Sequence, residues 1–343
     1  MPAKRITMQD IADACGLSRN TVSKVFNDRG AVPEATRQII LNKARELGYS
    51  QLPPGLSVPG TQSASQTIAL LCGGKLMSHH FGNYFISAFA DTVSRSGNML
   101  KLFEVSSTEL LEKRLPPHFL PDQIAGILCI ELFSRPYLDM LCDLGLPVVT
   151  VDACADYDLQ SHRCSYIAMR NFSSSLALVQ RMIDRGAKRL GFVGDPQHCN
   201  TFQERWFGFG KALQMAGLPL DERFSVLRPD EEPYQDSAWL AERLREMPAV
   251  PDGFFCANDF LAIKLIDALK QLGLTVPKDV MVAGFDDSPE STVVVPPLST
   301  AHIPSAEIGR VAADMLLSFV DDPSHSIATI LLETTPIFRE STG

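Results

Sequence analysis

Apolar residues recur along this chain in two different rhythms, and the rhythm changes once. Over the first 50 residues they fall at helical spacing. Ile11, Ala12 and Cys15 share one face, Val22 and Val25 a second, and Ile39, Ile40, Ala44 and Leu47 a third. Thr7-Met8-Gln9-Asp10 reads as a helix start, with the threonine hydroxyl as N-cap and an acid in the first turn. Gly16 stops that helix, because glycine enters the left-handed region at little cost. Ser18 caps a second short helix reaching Val25, and a third runs from about 34 to 47 and ends at Gly48. Two short helices joined by a glycine turn, with small Ala12 at their crossing, predict a helix-turn-helix within a three-helix head.

From residue 67 onward the apolar positions come as continuous runs, at 67–72, 125–130, 147–151, 189–193, 253–256 and 280–285. Amphipathic stretches separate them, among them 84–95, 174–184, 207–215, 237–246 and 260–272. Strands that are apolar throughout and alternate with helices predict an α/β body of parallel sheets covered by helices on both faces. Residues 67–343 are too many for one doubly wound sheet and suit two lobes with a cleft between them.

Between head and body lies LPPGLSVPG at 52–60, with three prolines and two glycines. Proline lacks the amide donor and glycine costs helix entropy, so regular structure is not expected there. The resulting division is a helix-turn-helix head at 1–50, a linker at 51–66 and an α/β body at 67–343. Within the body, lobe 1 is expected at about 67–167 and 299–327, and lobe 2 at about 168–298 and 328–343.

A net charge of −9 speaks against a nucleic-acid partner for the chain as a whole, but its distribution reverses that. Residues 1–50 hold eight Lys and Arg against five Asp and Glu. A basic head on an acidic body suits a head that meets a polyanion. On the second helix, Arg19, Asn20, Ser23 and Lys24 are left facing outward. Arginine bonds guanine bidentately and asparagine bonds adenine, so these four have the chemistry to read base edges. Thr7, Ser18, Thr21 and Asn27 carry groups that bond phosphate oxygens and position the helix.

Other chemistry is sparse. The eight cysteines form no CxxC pair, and the spacing of Asp152, Cys154, His162 and Cys164 matches no zinc pattern. No apolar run approaches a membrane span, and the N-terminus lacks the apolar core of an export signal, so a cytoplasmic protein is expected. No phosphate loop, coenzyme fingerprint or Ser-His-Asp set appears, and no enzyme and no cofactor is expected.

The segment TMQDIADACGLSRNTVSKVFNDRGAVPEATRQIILNKARELGY resembles the DNA-binding head of the LacI/GalR family of transcriptional regulators. RGAKRLGFVGD, ERWFGFGKAL, FFCANDFLAIKLIDALKQLGLTVPKDVMVAGFDDS and PPLSTAHIPSAEIGRVAADMLL are each similar to a block of that family's body. The resemblance covers the whole chain except the linker. It implies a repressor that binds a near-palindromic operator as a homodimer, or as a tetramer. It also implies a periplasmic-binding-protein-like body that takes a small, sugar-like effector, and no membrane partner.

Carried over residue by residue, the resemblance places Arg205, Asn258 and Asp286 in the effector cleft, with Asp152 as a further acid and Tyr84 and Phe85 as stacking aromatics. Carboxylates, an amide and an arginine fork around an aromatic suit a polyhydroxyl ligand. The competing reading makes Asp259 and Asp287 helix caps and Tyr84 and Phe85 core. The chain departs from the family at Arg170-Asn171, where Asp-Asn is usual, at the loop holding His79-His80, and at Pro33, where a capping serine is usual. Where members carry a hinge helix with a minor-groove leucine, this chain offers only Leu56 between prolines. A weak operator bend is therefore expected. A regulator answering to a nucleoside or a protein partner, and a transporter's solute-binding protein, remain as alternative readings.

Overall fold

The computed structural model describes residues 7–26, 32–46, 65–73, 80–155, 163–322, 324 and 326–343. They belong to two compact units, Met1–Ala64 and Ser65–Gly343. Asn27, Leu47, Leu56, His79 and His162 lie outside the described residues.

In the first unit, helices α1 (Met8–Cys15), α2 (Arg19–Phe26) and α3 (Glu34–Glu46) enclose a core of Ile11, Ala12, Val22, Val25, Phe26, Ile40, Leu41 and Ala44. Thr7 caps α1 through a capping box: its hydroxyl accepts from the Asp10 amide at 3.3 Å, and the Asp10 carboxylate accepts from the Thr7 amide at 2.8 Å. Gly16 ends the helix at φ 65. The Ser18 hydroxyl accepts from the Thr21 amide at 3.1 Å and starts α2. The expected stripe on α3 needs one correction, because Ile39 is 55% exposed and Leu41 takes the inward position. At about 100° per residue, 40, 41 and 44 form one face, and 39 turns away from it.

The second unit runs β1 (Thr67–Gly73), α4 (His80–Arg95), β2 (Met99–Val105), α5 (Ser107–Glu112), β3 (Ile124–Ile130), α6 (Arg135–Cys142), β4 (Val148–Val151) and β5 (Ser165–Met169). It continues with α7 (Asn171–Asp184), β6 (Leu190–Val193), α8 (Asn200–Met215), α9 (Ser237–Glu246), β7 (Gly253–Cys256), α10 (Asp259–Gln271) and β8 (Met281–Ala283). Last come α11 (Glu290–Val293), β9 (Thr300–His302), α12 (Ser305–Asp321), β10 (Thr329–Leu332) and β11 (Thr335–Ile337).

Two parallel sheets result. One has the order β10-β5-β4-β3-β1-β2 and the other β6-β7-β8, while β9 and β11 pair antiparallel. Each sheet marks one lobe, and strand pairing relocates the chain crossings. β5 and β10 both belong to the six-stranded sheet, so residues up to 169 and residues 329–332 stay with lobe 1. Ser299 bridges Ala283 and His302 bridges Asp286, so 299–302 stay with lobe 2. The expected boundaries at 167, 298 and 327 therefore each move a few residues toward the C-terminus. The crossings fall in the connections β5–α7, β9–α12 and β10–β11.

Helices α4 and α12 pack directly against each other on lobe 1. Gly309 makes this approach feasible, because a Cβ there would run into the Phe85 carbonyl oxygen. Among the described residues no helix is long and apolar enough to cross a membrane.

Candidate functional site

In parallel sheets the loops that leave the carboxyl ends of the strands converge, and ligands bind there. Lobe 1 places two acids at that edge. Glu131 follows Ile130 at the end of β3, Asp152 follows Val151 at the end of β4, and Ile130 and Val151 are register partners. Lobe 2 places Asn258 after β7 and Asp286 after β8. Glu131 (φ 54), Asp152 (φ 58), Asp286 (φ 116) and Asp287 (φ 55) all hold left-handed or positive-φ backbone. Non-glycine residues rarely adopt it, and such strain clusters at functional sites.

Arg205, on α8, is the organising cation. Its side chain is 2% exposed, and its guanidinium lies 3.8 Å from the centroid of the Phe285 ring. Nη1 donates to the Ala257 carbonyl and sits 3.2 Å from Asp286 Oδ1, while Nε donates to Asn171 Oδ1 at 3.3 Å. Asn171 is buried in turn, and its Nδ2 donates to the Met169 carbonyl and to Glu204 Oε2, both at 2.9 Å. A buried guanidinium whose donors are met in this way is rigid, and it fixes where Asp286 points.

The acids resist ionisation. Burial pushes Asp286 up to about 6, against the pull of Arg205. The Asp286 side chain nonetheless keeps 26% of its surface, so it can meet a ligand. Glu131 is pushed up to about 7, mainly by burial and further by the charges of Asp152 and Asp286, while the Cys72 thiol, 3.9 Å away, pulls it down. Burial also raises Asp152, although its Oδ1 accepts from the Ala153 amide at 2.8 Å and the Thr201 amide at 3.2 Å. Thr201 lies in the first turn of α8, where an anion is favoured. Asp152 thus ties the two lobes together, beside a second link from the Asn200 amide to the Ala153 carbonyl at 2.8 Å.

Aromatic surface flanks these groups. Phe133 from lobe 1 meets the His198 ring of lobe 2 edge-on at 4.9 Å, and His198 lies 5.1 Å from Phe202. Among the described residues, no group of three or more His, Cys, Asp and Glu is placed to hold a metal ion.

Arg205, Asp286 and Asp152 thus come together as a set. Asn258 stands at the same edge, but its Oδ1 is committed to the Leu261 amide at 2.9 Å as the N-cap of α10. Phe85 leaves the set: it is fully buried and stacked on Phe89 at 6.2 Å, which gives a ligand no face to touch. Its neighbour Tyr84 is 61% exposed, on another side of α4. Asp259 and Asp287 are not simple helix caps. The Asp259 carboxylate accepts from the Thr300 hydroxyl at 2.6 Å and the Ser288 amide at 2.8 Å. Asp287 accepts from Arg339 at 2.6 Å and faces His302 at 3.0 Å. Both therefore clamp the loop that presents Asp286. Arg170 turns away to Glu333 at 2.7 Å, so Asn171 alone of that pair serves the cleft. Glu131, Asn171, Glu204 and the Phe133–His198 pair escaped sequence reasoning. Glu131 is flanked by Ile130 and by Leu132-Phe133, and the turn that aims it into the cleft leaves no mark in the composition.

On the head, Arg19, Asn20 and Lys24 are exposed along one side of α2, with Val22 and Val25 buried on the other. Ser23 is half-buried, as is Thr21, whose hydroxyl shares a 2.8 Å hydrogen bond with Ser18.

Residues 7–51 match the model of bacterial regulatory proteins of the lacI family, and residues 179–342 match the periplasmic binding protein-like domain. The chain is 27% identical to the HTH-type transcriptional regulator CelR of Thermobifida fusca over 343 residues, covering 98% of both chains. It is likewise 27% identical to the ribose operon repressor of Bacillus subtilis over 338 residues, again covering 98% of each. A solved complex of CelR with cellobiose superposes with a TM-score of 0.71 at 27% identity, covering 98% of this chain and 100% of that one. The lac repressor dimer bound to operator shares the fold, with a TM-score of 0.69 at 20% identity and 99% of each chain covered. A lacI-family helix-turn-helix head, a periplasmic-binding-protein-like body of parallel sheets and these relatives along its length together identify the chain as a DNA-binding transcriptional regulator of LacI-like organisation.

Proposed function

We propose that this regulator is a cytoplasmic repressor without enzymatic activity, in which residues 1–50 read DNA, 51–66 tether and 67–343 sense. It binds a near-palindromic operator as a homodimer, with Arg19, Asn20, Ser23 and Lys24 at base edges and Thr7, Ser18 and Thr21 at phosphates. A hydroxyl-rich effector of the sugar class seats among Arg205, Asp286, Asp152 and Asn258. The observation that carries this reading is the Arg205–Asp286 pair, a buried guanidinium that holds a partly exposed carboxylate at the carboxyl edge of the second sheet. Relatives named for ribose and solved with cellobiose agree with it.

The test uses a duplex selected by the protein from a random library, together with ribose and cellobiose as probes. Asp286→Ala should abolish the heat of probe binding in calorimetry and leave duplex affinity in gel shifts unchanged. Unchanged probe affinity in the variant would move the effector elsewhere. The Phe133–His198–Phe202 cluster favours a second reading, a nucleoside whose base stacks there, and adenosine is the probe for it.

A further inference from the structure

We infer that the cleft selects an effector without negative charge, and that Glu131 is the residue that enforces the choice. Resting on the sensor reading above, this narrows the ligand from hydroxyl-rich compounds in general to uncharged ones, and it excludes their phosphate esters.

The placement is set by the sheet. Register partners Ile130 and Val151 put Glu131 and Asp152 side by side, since neighbouring strands run about 4.8 Å apart. Asp286 approaches from the other lobe closely enough for its charge to act on Glu131. Three carboxylates therefore face the same space from two lobes.

The opposing positive charge is already spent. Arg205 commits Nε to Asn171 and Nη1 to Ala257 and Asp286. Arg170 pairs with Glu333, and His198 is backed by Asp230 at 3.3 Å. A phosphate entering here would face carboxylates on both sides and a guanidinium already neutralised by Asp286. It would also have to shed its water, while Arg205 Nε and Nη1 are already committed to Asn171, Ala257 and Asp286.

Glu131 has the opposite need. The one donor the described residues bring to its carboxylate is the Cys72 thiol, a weak donor at 3.9 Å. An ionised carboxylate accepts several hydrogen bonds, and sugar hydroxyls supply them. The same group thus attracts a neutral polyol and repels an anion.

The experiment titrates the full chain by calorimetry at pH 8.5, where Glu131 is ionised, and at fixed salt with matched probes: ribose and ribose 5-phosphate, cellobiose and its 6-phosphate, adenosine and AMP. In wild type, at least one uncharged member should bind, with its phosphate ester at least tenfold weaker. Glu131→Gln keeps the shape and removes the charge. It should narrow that gap to threefold or less, chiefly by tightening the phosphate ester. A phosphate ester that binds wild type as tightly as its parent, or more tightly, overturns the inference and leaves the sensor reading intact. A gap that persists unchanged in Glu131→Gln overturns the role of Glu131. Silence from every probe overturns the sensor reading and this inference with it, whereas a probe that binds Asp286→Ala normally overturns the role of Asp286, and the response of the gap to Glu131→Gln still decides this inference.

Discussion

Asp152 holds a carboxylate oxygen 3.2 Å from the amide nitrogen of Thr201, and the two residues belong to different lobes. The acid follows β4 of the six-stranded sheet, and the amide opens the helix that carries Arg205. One side chain therefore links the lobe angle to the position of the cleft's only fully buried cation among the described residues.

Cutting this link should loosen the body. A hydrogen bond to a charged group contributes roughly 1.5–3 kcal/mol, and removing a buried carboxylate returns part of that by relieving its desolvation. Asp152→Ala is accordingly expected to destabilise the body by about 1–2 kcal/mol in urea unfolding. Without ligand it should also widen the lobes, read as a larger radius of gyration in small-angle scattering. An unchanged radius would show that the Asn200–Ala153 backbone link alone sets the angle.

Stability should fall as the medium turns alkaline. Glu131 (about 7), Asp286 (about 6) and Asp259 (about 8) all stand above the ordinary carboxylate range when folded. Asp259 and Asp286 act on each other, so those two titrate as a pair. Between roughly pH 4.5 and 8 the folded state keeps protons that the unfolded chain has released, and stability therefore decreases with rising pH. Asp221 has the opposite sign, lowered by its contact with Arg223, but it acts only below the ordinary carboxylate range. The groups facing Glu131 are Cys72, Asp152 and Asp286, and none of them supplies a compensating cation. The melting temperature of the ligand-free protein should be higher at pH 5.5 than at pH 8 by on the order of 5 °C. Glu131→Gln should flatten the slope, and a melting temperature that rises toward pH 8 in wild type would refute the assignment.

Two glycines in one helix should answer alanine with opposite signs. On α8, a Cβ at Gly208 would meet the Phe172 carbonyl oxygen at 2.7 Å and Ser175 Cβ at 2.7 Å, where α7 presses against it. Gly210, one turn-fraction away, would meet only Leu220 Cδ2 at 3.7 Å, an ordinary contact. Gly208→Ala is therefore expected to cost about 1–3 kcal/mol, as overpacking does. Gly210→Ala should add about 0.5–1 kcal/mol, because glycine is the poorer helix former. Urea midpoints of the two variants measure both.

Much of this architecture was legible in the sequence, and what was not has physical causes. β1, β3, β4, β6 and β7 are buried on both faces, so each announced itself as an apolar run. β2 lies at the sheet edge and exposes Lys101 and Glu104, which breaks the run. β9 and β11 have three residues each and exist only because chain segments more than 30 residues apart meet. Among the candidate residues, Arg205 and Asp286, which pair in the structure, could be named from sequence because they sit in family-like blocks. Glu131 was hidden, since Ile130-Glu131-Leu132-Phe133 continues an apolar stretch and the left-handed turn cannot be read from composition. Asn171 and Glu204 are 33 residues apart in sequence, and only the packing of α7 against α8 within lobe 2 brings them to the same hydrogen bond at 2.9 Å.

The two sides of α2 differ in exposure. Arg19 stands exposed at the first turn of the helix, while Val22 and Val25 anchor the opposite side against Ile11 and Ala12. An arginine that bonds a guanine edge discriminates by about 1–3 kcal/mol, whereas one that only neutralises phosphate weakens all sequences alike. Arg19→Ala is expected to lose that amount on the duplex selected from a random library and far less on scrambled duplex of the same length, both measured at one salt concentration. Thr7→Ala removes the capping hydroxyl of α1 and should instead cost about 1 kcal/mol of head stability. Its binding loss should fall equally on both duplexes, because a phosphate contact carries no sequence preference. Equal losses for Arg19→Ala on the two duplexes would assign that residue to the backbone and move the base reading to Asn20, Ser23 and Lys24.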